Sequence, residues 1–244
     1  MITRAIFVLT SEEAGEQFLK ILPDLRALGL AEATILHLIS AAPGPAEPMP
    51  ELANWVRHFE ATIPSVELAL KRGDPVKWIY ELARVRDVDI VVISGIPNGT
   101  DWDFERVSSP LRNLRVPILF LPDEVIEAAI GERVLVAIKS PETVVPALAG
   151  LQDWFQADRL KAIRVAPATG ASECRDCAGI ALEIVPPIGD VATTLLTEAE
   201  QRAATLLTIL AENEAPAGNR KGIPVVKPLI ETTGLPILIW PADI

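Results

Sequence analysis

The feature that most constrains this chain is that it repeats itself. Val116-Pro117-Ile118-Leu119-Phe120-Leu121-Pro122 returns as Leu235-Pro236-Ile237-Leu238-Ile239-Trp240-Pro241, with the first prolines 119 positions apart. A Gly-Asp pair follows an apolar run in each half, Gly73-Asp74 and Gly189-Asp190, 116 positions apart. Each half also opens on an apolar run, residues 5–9 and residues 134–138. A spacing close to half of the 244 residues means two copies of one folding unit rather than an array of short repeats. We therefore expect one domain over residues 1–123, a joint at 124–132 and a second domain over 133–244. The formal charge divides evenly, −5 up to Asp123 and −6 beyond it, so neither half is a charged tail.

Inside each half, short apolar runs alternate with segments of helical periodicity. Strands are expected at residues 5–9, 33–39, 66–70, 89–94 and 116–121, and again at 134–138, 160–165, 181–185, 205–211 and 235–240. Thr10-Ser11-Glu12-Glu13 matches a capping box, with the Thr10 hydroxyl and the Glu13 carboxylate serving the first amides of a helix. Asp74-Pro75 and Asp190 are further helix starts, an acceptor ahead of the first turn and, at Pro75, a residue with no amide to lose. Helices are also expected near 52–59, around Phe104, Val107, Leu111 and Leu114, after Ser140-Pro141, and over 224–233, closed by Gly234. Strand and helix in alternation imply parallel strands joined by right-handed crossovers. The expected fold is α/β: two tandem five-stranded doubly wound parallel sheets, paired as an intramolecular pseudo-dimer through the apolar edges at 116–121 and 235–240.

Composition removes several functions. The net charge of −11 repels nucleic-acid backbones and anionic lipid, so neither is an expected partner. No apolar run reaches the ~20 residues of a membrane span. The opening Met1-Ile2-Thr3-Arg4-Ala5-Ile6-Phe7-Val8 is strand-like, without the pattern of a secretory signal, and cytoplasmic location is the expectation. Two histidines, His37 and His58, and two cysteines, Cys174 and Cys177, are too few for a multi-ligand metal centre, and no metal is expected. Cys174-Arg175-Asp176-Cys177 follows a strand, as a redox pair would, but in a small-residue loop, and spare thiols are the preferred reading. His37 falls within an apolar strand and is expected inside. No Ser-His-Asp order, carboxylate pair or Walker loop is visible.

The order of these features resembles the universal stress protein (UspA-like) family in its tandem two-domain form. The carriers are the opening strand followed by Ser11, the strand ending Ile35-Leu36-His37-Leu38, Gly73-Asp74-Pro75, the strand running into Gly95, Val116-Pro117-Ile118-Leu119, and their counterparts Ser140-Pro141, Gly189-Asp190 and Leu235-Pro236-Ile237-Leu238. The resemblance covers nearly the whole chain. It implies the strand order 3-2-1-4-5 in each half, an adenine-nucleotide α-hydrolase-like arrangement, and a ligand crevice between the first and fourth strands, where open α/β sheets bind ligands.

It also implies a test of the crevice. Nucleotide-binding members carry Gly-x-x-Gly, nine residues, then Gly-Ser or Gly-Thr after the fourth strand. Here the loop reads Gly95-Ile96-Pro97-Asn98-Gly99, one residue longer, and Ser108-Ser109-Pro110 stands where Gly-Ser belongs. Asp101, Asp103 and Glu105 add negative charge to the loop. Binding members end the first strand on Asp; this chain has Thr10 in the first half and Lys139 in the second. The expectation is a stress-response protein that acts by ligand or protein binding, with an eroded nucleotide motif and no catalytic residues. The alternative is an ATP sensor with weak ATPase activity, holding adenine nucleotide through Thr10, Gly95, Gly99, Ser108 and Ser109. Partners are an unknown protein or small ligand, and the chain is expected as a monomer or a homodimer.

Overall fold

A computed structural model describes residues 1–39, 50–94, 107, 111, 113–122, 129–139, 144–167, 175–177, 179–211 and 226–241. The chain divides into two compact units, Met1–Glu127 and Ala128–Ile244. The first contains β1 (Arg4–Leu9), α1 (Glu12–Ala27), β2 (Glu32–Ile39), α2 (Leu52–Glu60), β3 (Ser65–Arg72), α3 (Pro75–Arg86), β4 (Ile90–Ser94) and β5 (Ile118–Leu121). The second contains β6 (Val134–Ala137), α4 (Val144–Gln152), β7 (Leu160–Val165), β8 (Arg175–Cys177), β9 (Ile180–Val185), α5 (Val191–Gln201), β10 (Leu206–Ala211), α6 (Val226–Thr232) and β11 (Ile237–Pro241).

In the first unit the strands lie in the order β3-β2-β1-β4-β5, all parallel. The second unit runs β11-β10-β6-β7-β9, parallel throughout, with β8 added antiparallel outside β9. Both units thus have the 3-2-1-4-5 order. β4 and β5 are buried at every residue, as are β6, β10 and β11, which is why these runs read as unbroken apolar stretches. In the first unit Phe7 of β1 meets Phe18 of α1 edge-on at 5.3 Å and Phe59 of α2 at 4.8 Å, so α1 and α2 share one face of the sheet. In the second, Trp240 of β11 stands edge-on to Trp154 at 4.7 Å.

Two sequence expectations need correction. The second unit has six described strands, not five, because Arg175–Cys177 doubles back onto β9. Cys177 stands opposite Ile180, so the connection is two residues long, and Gly179 sits in it at φ +77°, a left-handed value that costs glycine little. The Cys-x-x-Cys stretch therefore enters an edge strand rather than the helix N-terminus that would lower a thiol pKa. The second correction concerns α1. Its cap is Ser11, whose Oγ accepts from the Ala14 amide at 3.2 Å, so Thr10 is released for another contact. The caps at Asp74 and Asp190 are as expected, accepting from Val76 N at 3.1 Å and Thr193 N at 2.7 Å.

Candidate functional site

In an open parallel sheet, strand order reverses at one point, and the two crossovers leave it on opposite faces, opening a crevice at the carboxyl ends of the strands. In the first unit that point is between β1 and β4, in register from Ala5 opposite Ile90 to Val8 opposite Ile93. β1 leaves the sheet through Thr10 into α1; β4 ends at Ser94.

Thr10 fills the junction. Its Oγ1 donates to the Ser94 carbonyl at 3.4 Å, a long contact that ties the two strand ends together. Ser94 is buried. One strand over, His37 lies opposite Leu9 in β2, and its Nδ1 is 3.2 Å from the Leu9 carbonyl. A carbonyl only accepts, so that nitrogen carries the proton. His37 is the interior, hydrogen-bonded residue its strand position implies.

The mouth beside this junction is acidic. Glu12 and Glu13 occupy the first turn of α1, where their charge suits the helix dipole. Glu13 is held below the usual carboxylate range by its own backbone amide and by the Ser11 hydroxyl. Glu12 is pushed the other way, by a hydrogen bond to the Glu51 carboxyl and then by the repulsion of that charge. Glu51 stands at the N-cap position of α2 without a capping bond from its side chain, and among the described residues no donor reaches its buried Oε2. Trp55, one turn on, has a buried Nε1 that no acceptor reaches among the described residues. Its ring is held there by Gly15, where a Cβ would come within 2.7 Å of the indole. No sequence pattern points to this group, because Glu12 and Glu13 fit a helix start on their own and Glu51 is remote in the chain. The signal was available only in the neighbouring helix starts, which parallel topology brings to the same end of the sheet.

Of the residues singled out from sequence, Thr10 is at the crevice; Gly95, Gly99, Ser108 and Ser109 lie outside the described residues. Val107 and Leu111, which bracket the serines, are helical and buried. Lys139, the second unit's counterpart of Thr10, is exposed just beyond β6. Cys174 lies outside the described residues, as does the side chain of Cys177. Among the described residues no group of three His, Cys, Asp or Glu could hold a metal ion, and no helix is long and apolar enough to cross a membrane.

Recesses also occur at the opposite, amino ends of the strands. In the first unit a cavity of about 280 Å³ is bordered by Arg4, Glu32, Thr34, Glu67 and Arg86. Its charges are spent internally: Arg86 binds both carboxylate oxygens of Glu67, and Arg4 reaches Glu32 at 3.5 Å and Asp87 at 3.6 Å. This end braces the sheet and leaves the carboxyl end as the candidate site.

No family model matches the chain, and no curated protein does. Solved structures do. A universal stress protein from Archaeoglobus fulgidus superposes with a TM-score of 0.69 at 17% identity, over 98% of each chain. A functionally unknown protein from Pseudomonas aeruginosa gives 0.66 at 13% identity, over 99% of this chain and 93% of the other. A provisional universal stress protein from Pseudomonas aeruginosa gives 0.63 at 12%, over 99% and 94%. This chain therefore has the universal-stress-protein fold along almost all of its length.

Proposed function

We propose that this chain is a binding protein of the universal-stress-protein type, acting in the cytoplasm through a small ligand or a protein partner, with its nucleotide site dismantled. The observation that carries the reading is the end of β1. β1 runs into Thr10, whose hydroxyl donates to the Ser94 carbonyl, and among the described residues no carboxylate takes its place at the crevice floor to accept from an exocyclic amine. The charge at the mouth points the same way. Glu12, Glu13 and Glu51 surround the start of α1, where a phosphate would otherwise meet free amides and a favourable dipole. A triphosphate would have to approach these carboxylates, and the sequence after β4 adds Asp101, Asp103 and Glu105 to the negative charge.

Titration calorimetry of the full chain with ATP and magnesium is the direct test. The expected result is no binding at micromolar ATP, and no adenine absorbance in the supernatant of freshly purified, denatured protein. Micromolar binding that is lost in the Gly95→Val, Gly99→Val double variant would reject the reading in favour of an ATP sensor with weak ATPase activity. Mass spectrometry of small molecules carried through purification would then name the natural ligand class.

A further inference from the structure

The two units finish the same sheet edge differently. In the second, β9 is covered by β8, an antiparallel strand from the same chain. In the first, β3 is the outermost strand, and among the described residues nothing pairs with its outer side. The Ser65 amide donates to the Ala31 carbonyl, so Ser65, Glu67, Ala69 and Lys71 turn their amides and carbonyls toward β2. Val66, Leu68, Leu70 and Arg72 turn theirs outward. The Arg72 carbonyl is taken by the Trp78 indole, at 2.8 Å, which leaves the middle of the strand unsatisfied.

We propose that the β3 edge pairs antiparallel with β3 of a second copy of this chain, about a two-fold axis through Ala69. The strand's sequence, Ser65-Val66-Glu67-Leu68-Ala69-Leu70-Lys71-Arg72, is complementary to its own reverse in that register. Ala69 faces Ala69, Leu68 faces Leu70, and Glu67 faces Lys71, each of the last two twice by symmetry. Leu68 and Leu70, whose backbone groups point outward, become the hydrogen-bonded pairs. Glu67 opposite Lys71 falls on the non-hydrogen-bonded pairs, where cross-strand side chains come closest. Charges on an edge strand ordinarily hold copies apart. A carboxylate and an ammonium four residues apart, centred on a small residue, do the reverse. Leu70 is 41% exposed and the Glu67 side chain 56% exposed; on pairing, Glu67 would share its carboxylate between Arg86 and the facing Lys71, which would leave the Trp78 ring that its Nζ covers at 4.7 Å.

Sedimentation velocity of the full chain across a concentration series is the first experiment, with a concentration-dependent dimer expected. Lys71→Glu places like charges opposite one another twice and should weaken the dimer at least about tenfold. Leu70→Lys, at an exposed position, should do likewise, and circular dichroism melts show which variant keeps its fold. Register is read separately. With Cys174 and Cys177 replaced by Ser, Ala69→Cys should oxidise to a covalent dimer, because facing non-hydrogen-bonded residues lie within disulfide reach. Val85→Cys, 74% exposed but on α3 rather than on β3, should not. A chain that stays monomeric at its solubility limit overturns the proposal. So does a dimer indifferent to both charge variants, or equal cross-linking at Ala69 and Val85.

Discussion

The amino ends of the strands are built alike in the two units; the carboxyl ends are not. Arg86 pairs with Glu67, and Arg202 with Glu183, each across 19 residues. The residue after each arginine is left-handed, Asp87 at φ 50° and Ala203 at φ 48°. The next amide closes the preceding helix in both, Val88 to the Ala83 carbonyl and Ala204 to the Ala199 carbonyl. Even where the chemistry changes, the role is kept. Asp89 accepts from the Arg4 amide at 2.8 Å, and the Thr205 hydroxyl accepts from the Arg133 amide at 3.1 Å. At the other end, Thr10 bridges to Ser94 while its counterpart Lys139 stands exposed. The bracing that holds a doubly wound sheet is the same in both units; the carboxyl ends, where open α/β sheets in general bind ligands, differ at this position. Nothing in the packing of the sheet requires the carboxyl ends to agree, because the residues that follow the strands lie outside the shared core.

The largest effect should come from breaking the bracing where the copies differ. Four residues before its arginine, the first unit has Leu82 and the second has Glu198, whose side chain is 8% exposed. Arg202 holds both Glu198 and Glu183, at 2.9 and 2.8 Å. Arg202→Met would strand a buried carboxylate, and about 3 kcal/mol of stability should be lost from the second unit. Arg86→Met, which would lose the half-exposed Glu67 and a 3.3 Å bond to the Thr34 hydroxyl but strand no buried charge, should cost about 1 kcal/mol. Hydrogen exchange resolved by unit measures both, and equal losses would show that Glu198 adds nothing to the second copy. The acid side sharpens the contrast. Arg86 hydrogen-bonds Glu67 and holds its carboxyl below the ordinary 4.5, so that stabilisation is present above 4.5 and fades as pH falls through the lower folded value. Arg86→Met should remove this acid sensitivity.

The next effect tests what was copied unchanged. Gly73 and Gly189 precede the capping aspartates at φ +101° and +79°, and an added Cβ meets nothing closer than 3.9 Å at either. Alanine there costs backbone strain alone, about 1 kcal/mol in each unit. Denaturant titrations should give nearly equal losses. A marked inequality would mean that the two turns differ in a way their geometry hides.

How much of this could be read beforehand divides along the same line. The caps at Asp74 and Asp190 and the buried runs of β4 and β10 were legible, because burial on both faces and helix starts leave local signatures, whereas the strand order followed only from the family resemblance. β8 was not: three residues with two charges carry no apolar alternation, and only pairing with β9 makes them a strand. Thr10 was placed at the crevice but given the wrong task. The capping box pointed to Thr10, but Ser11 takes the cap, and Thr10 turns instead to the end of β4, which sequence spacing does not place beside it. The meeting of Glu12 with Glu51 was invisible for the same reason, since it joins helix starts that are distant in sequence.

The smallest effect belongs to that meeting, and the second unit serves as its internal control. A hydrogen bond with Glu51, reinforced by repulsion from its charge, raises Glu12 above the ordinary 4.5. A raised folded value means that the fold favours the protonated acid. The stabilisation is therefore complete below 4.5 and is lost as pH climbs through the folded pKa, leaving the contact unfavourable at neutrality. Glu12→Gln keeps a hydrogen-bond donor toward Glu51 and removes one of the two charges. It also removes a negative charge that suits the start of α1, an opposing effect that salt screens and distance dilutes. The direct contact should dominate, so the melting temperature of the first unit rises slightly at pH 7 and is unchanged at a pH well below 4.5, with the second unit unmoved at both. A fall at pH 7 would show that the helix start outweighs the carboxyl pair, and would return Glu12 to the purely structural role its sequence position suggests.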